Sequence, residues 1–109
     1  MTDKIVVLTT CDSKKRADKL AHHLVRQRVA ACVNVLPKAR SIYRWKEKVE
    51  EASEWMLIIK TRRDLFAALR AEIQKLHTYE VPELIALPIV DGSEPYLAWF
   101  DAQLTAKAE

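Results

Sequence analysis

His77-Thr78-Tyr79-Glu80-Val81-Pro82-Glu83-Leu84-Ile85-Ala86-Leu87-Pro88 decides how this chain folds. A helix must end before it, because Pro82 cannot continue one and biases Val81 toward extended geometry. An apolar strand, Leu84 to Val90, follows. The crossing from helix to sheet is therefore short and crowded with a His, a Tyr and two carboxylates, at the kind of rigidly held connection where function collects.

Upstream of this crossing, Phe66, Leu69, Ile73 and Leu76 form the apolar stripe of the helix, and Thr61 with Asp64 predicts a capping-box-like start. Trp55-Met56-Leu57-Ile58-Ile59 is apolar on both faces, as a central strand with cover on each side would be. Before it, Ala31 to Leu36 reads as a strand that Pro37 interrupts or bends. The strand resumes from Arg40 to Lys46, with Ser41, Tyr43 and Trp45 on one face and Ile42, Arg44 and Lys46 on the other. A charged turn at Lys46-Glu47-Lys48 closes the hairpin. The first strand is Lys4 to Thr10, and Asp12 or Ser13 caps a helix carrying Ala17, Leu20, Ala21, Leu24 and Val25. Downstream, Asp91-Gly92 turns the chain, and Ser93 with Pro95 opens a last helix bearing Leu97, Phe100 and Leu104.

The order is βαββαβ with a terminal helix, one of the split-βαβ patterns. It predicts an α+β fold whose sheet is covered by helices on one face only. The bare face and the long aromatic edge around Tyr43 and Trp45 both need cover. Oligomerisation supplies it.

Composition narrows the class. The 109 residues form one domain, residues 1–109, with a single Gly and no linker or repeat. Net charge is +3 and the isoelectric point about 9.0, at the threshold for a nucleic-acid protein. Charged residues of both signs are interleaved, so no nucleic-acid partner is expected. Trp55 to Ile59 also lacks the basic-Gly-aromatic run of an RNA-binding sheet. Ile5 to Leu8 is too short for a leader or a membrane span. Cys11 and Cys32 share no CxxC spacing, which predicts reduced thiols in the cytoplasm. Thr105 to Glu109 is where fraying is expected.

Several segments together resemble the CutA family of divalent-cation tolerance proteins. They are Ala30-Ala31-Cys32-Val33-Asn34-Val35-Leu36-Pro37, Ser41-Ile42-Tyr43-Arg44-Trp45 with Lys48, Ile58-Ile59-Lys60-Thr61, Leu76-His77 through Asp91-Gly92, and Tyr96-Leu97-Ala98-Trp99. The resemblance implies a ferredoxin-like sandwich with an extended hairpin of the second and third strands, assembled as a tight homotrimer. It also implies architectural kinship with PII signal proteins and a cytoplasmic role tied to copper and other divalent metals. It places Cys32, Trp45, His77, Tyr79 and Glu83 near a cleft between subunits. The chain departs from the family pattern at Lys38 and Glu47, which stand where glycines are usual, so the hairpin tip is expected to adopt another turn type. Thr9 stands where some members carry a copper-binding Cys, and the adjacent-His pair of those members is reduced to Leu76-His77.

Weighed singly, the candidates keep two readings each. His77 suits a metal ligand, with Cys32, Glu80 and Glu83 as the obvious partners, or a helix-end cap. Cys32 is a ligand or a buried structural thiol. Tyr43, Trp45 and Tyr79 are interface aromatics or a ligand cage. Glu83 is a ligand or the partner of a basic residue such as Lys60. His22 and His23 are adjacent on a helix and point about 100° apart, too divergent to share an ion. Lys14-Lys15-Arg16 reads as a solvated run or an anion site, with Asp12 and Asp18 positioned to offset it. A Cys–His nucleophile lacks a third, orienting group, so no enzyme is expected. The predicted function is weak divalent-metal binding, copper first, at His77, Glu83 and Cys32, with no organic cofactor. The alternative is a PII-like sensor of a small molecule.

Overall fold

A computed structural model describes residues 1–106. The elements are β1 (Lys4–Cys11), α1 (Lys14–Arg26), β2 (Cys32–Trp45), β3 (Lys48–Arg62), a 3-10 turn (Arg63–Leu65), α2 (Phe66–Leu76), β4 (Ile85–Pro88) and α3 (Glu94–Gln103). The sheet runs β2-β3-β1-β4 with every neighbouring pair antiparallel. This is the expected α+β, ferredoxin-like arrangement.

Strand alternation sorts the core. Ile5, Val7 and Thr9 of β1 pair with Thr61, Ile59 and Leu57 of β3, and all of these point at the helices. There they meet Ala17, Leu20 and Leu24 of α1 and Leu69 and Ile73 of α2 in one buried cluster. Ser13 caps α1, its hydroxyl accepting from the Arg16 N–H at 3.2 Å. Arg16 and Lys14 also pair with Asp12 and Asp18, offsetting the basic first turn. α3 seals a smaller cluster, Ala31, Phe100 and Leu104. Arg62, 1% exposed, ties it down through Asp64 at 2.9 Å, Asp101 at 3.0 Å and the Thr105 carbonyl.

Several expectations need correction. Thr61 does not cap α2: it is buried in β3, its hydroxyl donating to the Val29 carbonyl at 2.6 Å. The helix starts at Phe66 after the 3-10 turn, without a side-chain cap. β4 is shorter than Leu84 to Val90. Thr105 is anchored rather than frayed, its N–H donating to the Arg28 carbonyl at 3.0 Å, and the rest of that expectation, from residue 107, lies outside the described residues. β3 is not covered on both faces within the chain, since Met56 and Ile58 are only half-buried.

The β2–β3 hairpin extends past the body, stretching the molecule to 45 × 25 × 24 Å. Its tip keeps a two-residue turn with positive φ at both Lys46 (49°) and Glu47 (68°). Such a turn matches strand twist and normally selects Gly or Asn. Lys46 and Glu47 thus take the left-handed conformation that a non-glycine tip was expected to avoid, at a cost of about 1–2 kcal/mol per residue.

Candidate functional site

A bulge in β2 builds the site. Leu36 pairs with Met56 but Ala39 pairs with Glu54, so Pro37 and Lys38 together oppose Trp55. Lys38 takes a φ of 63° to make this possible. One inserted residue exchanges the two faces of everything beyond it. Cys32, Asn34 and Leu36 lie on the open face before the bulge, and Ser41, Tyr43 and Trp45 lie there after it. Glu54 and Thr10 share that face. With the crossing segment after α2, Thr10, Ser41, Tyr43, Trp45 and Glu54 line a cleft of about 730 Å³ whose wall also includes Tyr79, Glu80 and Glu83.

Glu54 is the anchor of this cleft. It is 6% exposed, and the Tyr79 hydroxyl donates to its Oε2 at 2.6 Å. Burial pushes the carboxyl up, but hydroxyls of Ser41, Tyr79 and Thr10 outweigh it and hold the group below its ordinary 4.5. Burial and the same carboxylate push the Tyr79 phenol well above its usual 10, which keeps it a donor. Burial, then the charges of Asp12 and Glu54, raise the Cys11 thiol to about 11, unsuited to thiolate chemistry.

His77 backs the cleft at the C-cap of α2. Its Nε2 lies 2.6 Å from the Thr10 carbonyl, and its Nδ1 receives the Tyr79 N–H at 3.1 Å. A carbonyl only accepts and an amide N–H only donates, so the ring is the Nε2–H tautomer with both nitrogens engaged. The ring also meets Tyr79, centroid to centroid, at 4.7 Å. The imidazole fastens the crossing segment to the end of β1.

The predicted site residues therefore divide. Trp45, Tyr79 and Glu83 line one cleft, and His77 stands behind it. Cys32 does not join them. It pairs with Lys60, which pairs with Val6, four residues along β1 from the Thr10 that His77 touches, or about 13 Å. Lys60 sits 5.8 Å over the Tyr96 ring. Glu54 is absent from the sequence reading. Its signal is a carboxylate one residue before the apolar run of β3, paired with Ala39 just past the Pro37-Lys38 bulge.

The model of the CutA1 divalent ion tolerance protein family matches residues 5–103. The chain belongs to the CutA1 family. It is 46% identical to the chloroplastic protein CutA of Arabidopsis thaliana over 95 residues, 87% of this chain and 52% of the relative. It is 46% identical to the divalent-cation tolerance protein CutA of Thermus thermophilus over 94 residues, 86% of this chain and 91% of the relative. The CutA1 structure from Oryza sativa superimposes with a TM-score of 0.93 at 40% identity, covering 95% of each chain. The chain spans about half the length of its plant and mammalian relatives.

The donor set of this CutA1 family member does not fit a closed ion site within one chain. Among the described residues no group of three or more His, Cys, Asp or Glu is placed to hold a metal. An ion taking His77 through Nδ1 displaces the Tyr79 N–H. Thr9 points into the helical core and is 0% exposed, so that position does not face the cleft either.

Proposed function

We propose that this chain works as a cytoplasmic homotrimer in divalent-cation tolerance, binding ions weakly at clefts between subunits without enzymatic chemistry. The observation that carries this reading is the open sheet face. Leu36, Ile85 and Leu87 on it are 43%, 51% and 49% exposed, beside half-buried Val6, Leu8, Met56 and Ile58. A contiguous apolar face of this kind calls for a partner, and a closed ring of copies is the economical one. Ion binding is weak because His77 must surrender a hydrogen bond to coordinate, and Cys32 joins His77 and Glu83 only from a neighbouring subunit. Imidazole and the Irving–Williams order favour copper. Free thiols at Cys11 and Cys32 suit the cytoplasm.

Light scattering should give about 38 kDa, three copies of the 12.6 kDa chain. A stable monomer at micromolar concentration removes the assembly. Calorimetric titration with Cu(II) should show weak binding that His77→Ala and Glu83→Gln each weaken further. Equal affinity in His77→Ala leaves the ring its structural role alone.

A second reading is favoured by the cleft's size. A volume of about 730 Å³ is more than an ion needs and falls in the range of small-molecule sites. That supports a PII-like sensor of a small effector.

A further inference from the structure

We propose that the cleft selects a small organic ammonium ion with an apolar body, which rests on the small-molecule reading above and names its ligand class. The described residues lining the cleft include Glu54, Glu80 and Glu83 with Tyr43, Trp45 and Tyr79, and no lysine or arginine. The chain as a whole is net positive, so the cleft carries the opposite sign to the protein around it. A phosphate or carboxylate ligand would meet three glutamates, with the ammonium of Lys46 beside Trp45 as a cation at the rim, which disfavours nucleotide-like effectors.

The two halves of such a ligand have separate receptors. Glu54 sits at the buried end, fixed as an acceptor by the Tyr79 hydroxyl at 2.6 Å. Its charge draws an ammonium, and the burial of Glu54 strengthens that attraction. The aromatic rim offers π faces to the cation and apolar area to the body. Trp45 already does this within the chain, with the Lys46 Nζ 5.9 Å from its ring centroid. A bare divalent ion uses the carboxylates but leaves the aromatic wall idle. An alkyl- or arylammonium uses both.

The test compares 2-phenylethylammonium with 2-phenylethanol, its uncharged counterpart, and with 2-phenylethyl phosphate, its anionic one. Binding is read by calorimetry and by side-chain NMR of Trp45 and Tyr79 at neutral pH. The amine should bind, the alcohol about tenfold more weakly or worse, and the phosphate not at all. Glu83→Gln should weaken the amine about two- to tenfold and leave the alcohol unchanged, and Trp45→Phe should weaken the amine more than the alcohol. Glu54→Gln should weaken it more. If that variant does not fold, exposed Glu83 and the charge series still decide. Equal binding of amine and alcohol, tighter binding of the phosphate, or binding of none overturns the inference. Glu54, Glu83, Trp45 and Tyr79 all belong to one protomer, so the charge series and the oligomeric state are read on the same sample. Light scattering on the same sample separates the outcomes: a monomer that prefers the amine removes only the assembly, and a trimer indifferent to charge removes only the ammonium. An amine that fails while another neutral molecule of this size binds leaves the sensor reading standing without its cationic ligand.

Discussion

On the helix side of the sheet Val7, Leu57 and Ile59 are sealed from water, whereas on the other side of the same sheet Leu36, Ile85 and Leu87 are 43%, 51% and 49% exposed. Both faces are apolar, so hydrophobicity alone does not say which will be closed within the chain. What separates them is connection. α1 and α2 are both crossovers returning to the same face, and α3 reaches only the Ala31 edge. One face is finished by local chain geometry, and the other stays open within the chain.

Neighbouring residues of β3 break this comparison most sharply. Leu57→Ala opens a cavity in the closed face and should cost about 2–5 kcal/mol in denaturant unfolding, with the oligomeric state unchanged. Ile58→Asp, one residue on, points the other way. It should leave each chain folded while light scattering shows dissociation. A trimeric Ile58→Asp protein would place the interface elsewhere, and a Leu57→Ala loss below 1 kcal/mol would mean the helical face is looser than it looks.

Acid should probe the cleft end of the open face. Glu54 is held below 4.5 when folded and returns to the ordinary carboxylate range when unfolded. Its contribution is therefore complete above that range and lost as pH falls through the lower, folded value. Asp101, lowered first by Arg62, and Glu72, lowered first by Lys75, add the same sign. Glu54→Gln should thus make stability fall less steeply below pH 4.5 without flattening it entirely. An unchanged acid limb in chemical denaturation at several pH values would show that Glu54 gains nothing from its hydroxyl partners.

The order of elements was legible because hydrophobic period and Pro82 mark each boundary between helix and strand. The resemblance likewise named Trp45, Tyr79 and Glu83, which line one cleft of this chain, alongside Cys32 and His77, which do not. Thr61 misled because its spacing to Asp64 mimics a cap, while the Val29 carbonyl offered it a buried partner instead. Glu54 stayed hidden for a different reason. Its face depends on a one-residue bulge that Pro37 and Lys38 permit but do not announce, since Lys38 carries none of the glycine signal that a φ of 63° usually leaves. His77 was found as a residue but not as a tautomer, because its two partners are backbone groups that pattern does not reveal.

The smallest expected effect sits on the closed face, at Thr9. Its side chain is 0% exposed and its Oγ1 has no hydrogen-bond partner among the described residues. A hydroxyl stranded in an apolar layer costs desolvation free energy that nothing repays. Valine has nearly the same shape and no hydroxyl, and it suits a strand. Thr9→Val should therefore be neutral or stabilising by up to about 1 kcal/mol, raising the melting temperature by a few degrees. Thr9→Ser supplies the converse, keeping the hydroxyl and deleting a packed methyl, and should cost about 1 kcal/mol. If valine instead destabilises by more than serine does, the hydroxyl has a partner such as a buried water. The closed face would then contain a polar site, and the contrast between the two faces would be one of chemistry as well as cover.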